Sequence, residues 1–199
     1  MRWHRLLSGL VLALILGGIA QLAHGLYLPA KAWLAQRLLR NAWHETLAGD
    51  NRVRPWPWAD TWPVARLQVT RYEVDLIVLA GDTGRTLAFG PGLNLGLAQP
   101  GEGGLVLISA HRDTHFRFLR EVAPGDVLVL QSPDSALHHY RVDDARVMDA
   151  STAALDVEAD QLVLVTCYPF DALVPGGPLR FVVTATPVAP SRREIVGFM

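Results

Sequence analysis

The chain has 199 residues, of which 50% are hydrophobic and 19% charged, and this composition argues against a disordered main body. The formal net charge of -1 shows no basic excess of the kind that binds nucleic acid. A single cysteine excludes an intramolecular disulfide and a zinc site built from several cysteines. The length suffices for one domain with its own core and one accessory segment.

Residues 1–28 differ in character from the rest of the chain. Arg2 and Arg5 precede an apolar run of about 18 residues that ends at Ala23, close to the ~20 residues that a transmembrane helix needs. Basic residues before the run, with none directly after it, predict an N-terminus inside the cell. We therefore predict a membrane anchor over residues 1–28. The alternative is a cleaved signal peptide, with small residues at 18–20 as its cleavage site.

Residues 29–63 are predicted to form a helix followed by an irregular arm. Pro29 suits the first turn of a helix and Gly49 suits its end. This helix is amphipathic, and it could lie on a membrane surface or pack on the globular body. Three prolines interrupt the following stretch. We expect the tryptophans of this arm to dock onto the protein's own surface, namely Trp56, Trp58 and Trp62.

Residues 64–199 are predicted to form a mainly β domain. Clusters of Gly, Pro, Asp and Ser separate short apolar or alternating runs that are typical of strands. The candidate strands are 65–70, 74–79, 104–110, 126–131, 137–142, 145–148, 161–167 and 179–187. Only residues 115–122 suggest a short helix in this region. Many short strands with little helix between them favour a closed barrel or a sandwich over a parallel α/β sheet.

Three polar residues stand at the ends of apolar strands, where a rigid scaffold can project reactive groups into one cleft. His111 and Cys167 each follow such a run, and Arg180 begins the last strand. A thiolate is a nucleophile that an imidazolium stabilises, and an arginine can hold a developing oxyanion. The alternatives are a buried small cysteine, a hydrogen-bonded turn histidine and a surface arginine in an ion pair. Spacing alone does not decide between these interpretations.

Other chemistries have weaker support in the sequence. A zinc site from His111, His115 and Cys167 is conceivable, but the stretch HRDTH follows a strand and lacks the glutamate of the helical HExxH motif. Ser109 lacks the GxSxG context of a serine nucleophile. The glycines at 101–104 lack the lysine of a phosphate-binding loop, and there is no convincing calcium loop. We therefore predict no metal and no cofactor.

Three motifs in order, SAHRDTHF, LVLVTCYPF and PLRFVV, resemble the His, Thr-Cys and Arg motifs of the sortases. Sortases are membrane-anchored cysteine transpeptidases. The resemblance covers residues 55–187. The stretches PWPWADTWPVARL and TCYPFDA are similar to the sortase subclass of Gram-negative proteobacteria, class GN. Two departures are Ala110, where many relatives have Gly, and LVTC in place of the commoner Thr-Leu-x-Thr-Cys.

The resemblance implies an eight-stranded β-barrel and a set of catalytic roles. Cys167 would attack the threonine carbonyl of an LPxTG-like C-terminal sorting signal and form a thioester. His111 would protonate the leaving amine and then deprotonate an incoming amine. Arg180 would hold the substrate backbone and the oxyanion. Further residues are expected to line the peptide cleft, namely Thr166, Tyr168, Ala110 and Arg112.

The resemblance also implies partners and a location. The partners would be the sorting-signal peptide of a membrane-anchored protein and an amine nucleophile of unknown identity, with no nucleic acid. The catalytic domain would face the periplasm, attached to the inner membrane by one N-terminal span. Two alternatives stay open. One is a thiol hydrolase that releases the substrate to water, and the other is a non-catalytic, membrane-tethered peptide-binding barrel in which Cys167 is structural.

Overall fold

The computed structural model describes residues 2–152, 156–172 and 176–189. Residues 190–199, the end of the predicted β domain, lie outside the described residues. The chain divides into two compact units, Met1–Leu38 and Leu39–Met199. Among the described residues, the second unit holds every strand and the first is helical throughout.

One α-helix, α1, spans Arg2–Leu47, where the sequence predicts an anchor and a separate second helix. Pro29, expected at the start of that second helix, lies inside α1. A proline removes one helical hydrogen bond, but the residues around it are mostly Leu, Ala and Lys, which favour helix on both sides. Among the described residues, no helical stretch combines the length and the apolar character needed to cross a bilayer. The predicted transmembrane helix is thus not confirmed.

Eight strands close into one barrel, as predicted. In chain order they are β1 (Pro63–Val69), β2 (Val74–Ala80), β3 (Gly92–Leu93), β4 (Leu105–Ser109), β5 (Val127–Gln131), β6 (Leu137–Asp149), β7 (Gln161–Cys167) and β8 (Leu179–Val188). Their order around the barrel is β1-β2-β3-β4-β7-β8-β6-β5. The pairs β2–β3 and β4–β7 are parallel and the others are antiparallel. Short helical turns occupy Thr70–Tyr72, Gly84–Leu87 (α2) and Arg117–Glu121.

Two of the predicted strands need correction, although their number agrees with the structure. The predicted strands 137–142 and 145–148 form the single strand β6, which carries an irregularity between Val142 and Asp144. A bulge absorbs one extra residue and lets a strand continue where a turn is expected. The sequence missed β3, because two residues carry no periodic signal. A Cβ on Gly92 would lie only 2.2 Å from the carbonyl oxygen of Gly81, so β3 needs a glycine there.

Alternation along the strands fills the barrel with apolar side chains. On the three strands that lead to the predicted catalytic residues, the inward positions all belong to one buried cluster: Val106, Ile108, Leu162, Leu164, Val183 and Ala185. Close packing holds such side chains in fixed rotamers. The ends of β4, β7 and β8 are therefore held on a rigid support.

The C-terminal turns of α1 pack on the barrel. Leu39 and Trp43 are buried against Ile77 and Leu79 of β2. For this part of the helix, packing on the globular body is observed, which was one of the two alternatives. Burial of large apolar side chains is the main stabilising contribution to such contacts.

The Pro- and Trp-rich arm, residues 50–62, docks onto the barrel in part, as predicted. The ring of Trp56 meets Phe89 edge-on, with centroids 4.9 Å apart. The Thr61 hydroxyl donates a hydrogen bond to the carbonyl of Ala80 at 2.8 Å. Trp58 is 82% exposed and therefore does not follow the expectation.

Candidate active site

The pairing of β7 with β8 brings Cys167 and Arg180 opposite each other. Cys167 is the last residue of β7, and its partner in the antiparallel register is Arg180. Directly paired residues project their side chains from the same face of a sheet. The two predicted catalytic residues are thus neighbours on the outer face of the barrel.

The pairing of β4 with β7 adds His111 to the same row. These strands are parallel, with Ser109 beside Val165. The Ala110 N–H continues the ladder by donating to the Val165 carbonyl at 3.2 Å. Two residues beyond Ser109 and Val165 stand His111 and Cys167. The order across the sheet is therefore His111, Cys167, Arg180, which we call the catalytic row after the roles predicted for its three residues.

His111 and Cys167 line one cleft of about 90 Å³. Its other lining residues are Arg112, Asp113 and Gly176. His111 is exposed and Cys167 is half-buried. A thiol in this position is reachable from solvent, which argues against the alternative of a cysteine that merely fills the core.

Arg180 faces Cys167 across the ladder, but it is not among the residues that line this cleft. Its Nη1 donates to the carbonyl oxygens of Gly177 and Leu179, each at 2.9 Å. A guanidinium carries five N–H donors, and both bonds use a single nitrogen. The observed bonds anchor the arginine to the segment that leads into β8.

Thr166 and Ala110 lie on the inner side of the barrel, although both were expected to line the peptide cleft. Both are buried, and the Thr166 hydroxyl donates to the Ala110 carbonyl at 2.7 Å. This bond joins the ends of β7 and β4 directly behind Cys167 and His111. The two residues are therefore placed to position the catalytic row, with their side chains turned away from the cleft.

Arg112 is buried and lines the cleft, and its contact with a substrate stays a prediction. Its Nη2 donates to the Ala172 carbonyl at 3.0 Å, which ties the loop after β4 to the loop after β7. Tyr168 belongs to an aromatic cluster. Its ring stacks on Phe181 at 6.4 Å and meets Phe170 edge-on at 6.2 Å. Contact of Tyr168 with a substrate stays a prediction.

His115 lies close to the catalytic row without joining it. Burial lowers the pKa of His115 and the neighbouring His111 lowers it further, while Asp113 acts in the opposite direction. Within the described ranges, no group of three or more His, Cys, Asp or Glu side chains could hold a metal ion. The zinc alternative built on His111, His115 and Cys167 therefore finds no support in this part of the chain.

The sequence reasoning missed two residues of the cleft and the surface next to it. Asp113 lies within the quoted stretch HRDTH, so its position was available as a signal, whereas Gly176 reaches the cleft only through the fold. The outer face of β4, β6, β7 and β8 carries an apolar strip. Its members share the face of Cys167 and are buried or half-buried: Leu105, Leu107, Met148, Val163, Val165 and Val182.

The fold and the catalytic row define a barrel protein with a thiol, an imidazole and a guanidinium on one face, and comparison with known proteins assigns its family. The sortase domain family matches residues 67–188. The chain belongs to the sortase family. Cysteine transpeptidase is the enzyme class that the sequence predicted, and it is the class of that family.

Individual relatives agree with this assignment. Sortase D of Bacillus subtilis (strain 168) is 30% identical over 120 residues, which are 59% of this chain and 60% of that protein. The chain thus spans less than two thirds of that curated relative's length.

Solved structures share the fold. A Clostridium perfringens sortase D5 transpeptidase has a TM-score of 0.60 at 18% identity, covering 78% of this chain and 99% of that one. A lid mutant of sortase A from Corynebacterium diphtheriae has a TM-score of 0.61 at 22% identity, covering 84% and 99%. At these identities the likeness concerns the fold alone.

Proposed function

We propose that this protein is a cysteine transpeptidase that cleaves a C-terminal sorting signal and transfers the acyl part to an amine. The observation that carries the proposal is the catalytic row, in which the registers of β4, β7 and β8 align His111, Cys167 and Arg180. These are the three functions that acyl transfer through a thioester needs: a nucleophile, an acid–base group and a fixed positive charge.

The first half of the reaction forms the acyl-enzyme. The Cys167 thiolate attacks the scissile carbonyl carbon, and the electron pair of the C=O bond moves to the oxygen. The Arg180 guanidinium stabilises this oxyanion. When the C–N bond breaks, the His111 imidazolium gives its proton to the departing amine, which leaves a thioester on Cys167 and a neutral imidazole.

The second half returns the enzyme to its starting state. An incoming amine attacks the thioester carbonyl, and His111 takes the proton from its nitrogen. The tetrahedral intermediate then expels the Cys167 thiolate, and a new amide bond is formed. Thiolate and imidazolium are restored together, so no oxidant, metal or cofactor enters the balance.

The apolar strip supports a substrate with apolar residues ahead of the cleaved bond, as an LPxTG-like signal has. Leu107, Val165 and Met148 are only half-buried and share the face of Cys167. Half-buried apolar side chains on the same face as a nucleophile offer area that a leucine or proline could cover. The strip therefore favours binding of the acyl part along β4 and β7.

Intact-protein mass spectrometry tests this function. The full chain is incubated with an LPxTG peptide, and we expect a mass increase equal to the acyl fragment, with release of the C-terminal fragment. Hydroxylamine should remove the adduct as a hydroxamate. Cys167→Ala should give no adduct and yet unfold at an unchanged temperature. Release of only the free acid, with no hydroxamate, would instead identify a thiol hydrolase.

We further propose that the protein is held at the inner membrane with its catalytic domain in the periplasm, and that it belongs to the Gram-negative subclass. Support for the membrane location comes from the basic residues Arg2 and Arg5 ahead of an apolar run. Exposed apolar side chains in the N-terminal unit, such as Leu14 and Leu22, also support it.

Cell fractionation tests the location. We expect the intact chain, starting at Met1, in the alkali-resistant membrane fraction, and its catalytic domain should be cleaved by protease added to spheroplasts. A soluble periplasmic form that starts near residue 21 would establish the signal peptide in its place.

A further inference from the structure

The row of outward side chains next to the catalytic row contains a hydroxyl, that of Ser109. Ser109 is the last residue of β4, and the residues on either side of it, Ile108 and Ala110, are buried in the barrel core. Because side chains alternate along a strand, Ser109 points to the outer face, where it is half-buried. The next outward residue on β4, Leu107, belongs to the strip.

Ser109 stands in the row adjacent to the catalytic row. Its partner in the register is Val165, and the partner of Val165 on β8 is Val182. Neighbouring outward residues along a strand are two positions apart, about 6.5 to 7 Å. The row of Ser109, Val165 and Val182 is therefore one side-chain step from His111, Cys167 and Arg180.

The Ser109 hydroxyl is available for a ligand. In the described part of the chain, none of the hydrogen bonds made by side chains involves Ser109, whereas the hydroxyl of Thr166, also close to the row, donates to the Ala110 carbonyl. A half-buried hydroxyl on an apolar surface is partly removed from water, so a ligand that offers it a hydrogen-bond partner gains binding free energy. Its neighbour in the row, Val165, is β-branched and half-buried.

We propose that Ser109 is a specificity-determining residue. Its hydroxyl forms a hydrogen bond with the side-chain hydroxyl of the substrate residue whose carbonyl is attacked. The inference rests on the proposed function. With the carbonyl carbon at Cys167 and the preceding residues on the apolar strip, the side chain of the scissile residue lies over the adjacent row. There a hydroxyl faces Ser109 and a methyl group faces Val165. This pair of contacts selects threonine, a β-branched hydroxyl side chain, at the cleaved position.

Two peptides that differ only at the scissile residue, threonine or its near-isostere valine, test this assignment. For the unaltered protein we expect kcat/KM to favour the threonine peptide by about three- to tenfold, the range of one net hydrogen bond. In Ser109→Ala the threonine peptide should lose this advantage, while the valine peptide keeps its kcat/KM within about twofold. A merely structural role for Ser109 would lower both values equally.

Thr184→Ala is the matched control, since it removes a hydroxyl from the same outer face. Thr184 pairs with Val163, one row further from Cys167 than Ser109 is. Its removal should leave the threonine-to-valine ratio unchanged. An unchanged ratio in Ser109→Ala, or an equal fall in Thr184→Ala, overturns the assignment.

A binding measurement separates this inference from the proposed function. If the unaltered protein forms no acyl adduct with either peptide, the proposed function fails. The Kd of both peptides for Cys167→Ala, with and without Ser109→Ala, still tests the contact by NMR titration. A threonine preference that Ser109→Ala removes supports it, and equal affinities for the two peptides reject it.

Discussion

β4, β7 and β8 present two faces that carry opposite chemistry. On the inner face, Ile108, Leu164 and Val183 have no exposed surface and belong to one continuous core. On the outer face, the same strands carry the catalytic row and the apolar strip, whose members range from buried to half-buried. The contrast teaches that strand alternation separates residues that stabilise the fold from residues that carry the chemistry. Along each strand, a core residue is followed directly by a residue of the outer face. Substitutions on the two faces should therefore have different effects.

The largest expected effect falls on the outer face. His111→Ala should lower kcat/KM for a sorting-signal peptide by about 10² to 10⁴-fold, since it removes the proposed acid–base group. Its unfolding temperature should stay unchanged, because the side chain is exposed. Steady-state kinetics with the full chain measures this loss. His44→Ala, at another exposed histidine, should leave kcat/KM unaltered. Comparable losses in both variants would contradict the assignment of catalysis to the outer face.

An inner-face substitution should act on stability instead. Leu164→Ala removes a fully buried leucine, and we expect the free energy of unfolding to fall by about 2–5 kcal/mol. Urea denaturation measures the fall. Its neighbour Val165 is half-buried on the outer face, so Val165→Ala should cost much less stability and should raise KM for the peptide. Equal losses of stability in the two variants would mean that the faces are not distinct.

The hydroxyl of Thr166 tests how the inner face supports the outer one. Thr166→Val leaves the buried Ala110 carbonyl without its partner, which should lower the free energy of unfolding by about 1–3 kcal/mol. Because that bond joins the strand ends behind Cys167 and His111, kcat should fall while KM changes little. Thr166→Ser should restore both. Full activity in Thr166→Val would show that the Thr166 hydroxyl does not position the catalytic row.

Tyr140 gives the smallest effect, confined to alkaline pH. Burial raises the pKa of Tyr140 to about 12, and Asp160 adds to the shift. The folded protein therefore keeps this phenol neutral where the unfolded chain ionises it. The contribution is fully present below the ordinary pKa of about 10 and is lost as pH rises toward 12. In Tyr140→Phe the unfolding temperature should decline less steeply between these values, as thermal denaturation at several pH values would show.

The success of the strand predictions depended on how local their signals were. The limits of β7, residues 161–167, are as predicted, because its apolar run is bounded by turn residues. β3 has two residues and forms through its neighbours β2 and β4, so no local pattern marks it. α1 continues through Pro29 because a proline signals a helix start only where the preceding residues are not helical.

The sequence by itself determined the mainly β domain, because short apolar runs between turn residues favour a closed barrel or a sandwich. Its three ordered motifs, through their resemblance to the sortases, also predicted His111, Cys167 and Arg180 as the reactive groups. Only the tertiary structure decided which residues share a face. Thr166 and Ala110 were expected in the cleft and lie in the core. The face to which their side chains point depends on how β4, β7 and β8 pair. The physical reason is that alternation is local, whereas register and the choice of the buried face are set by contacts between distant segments.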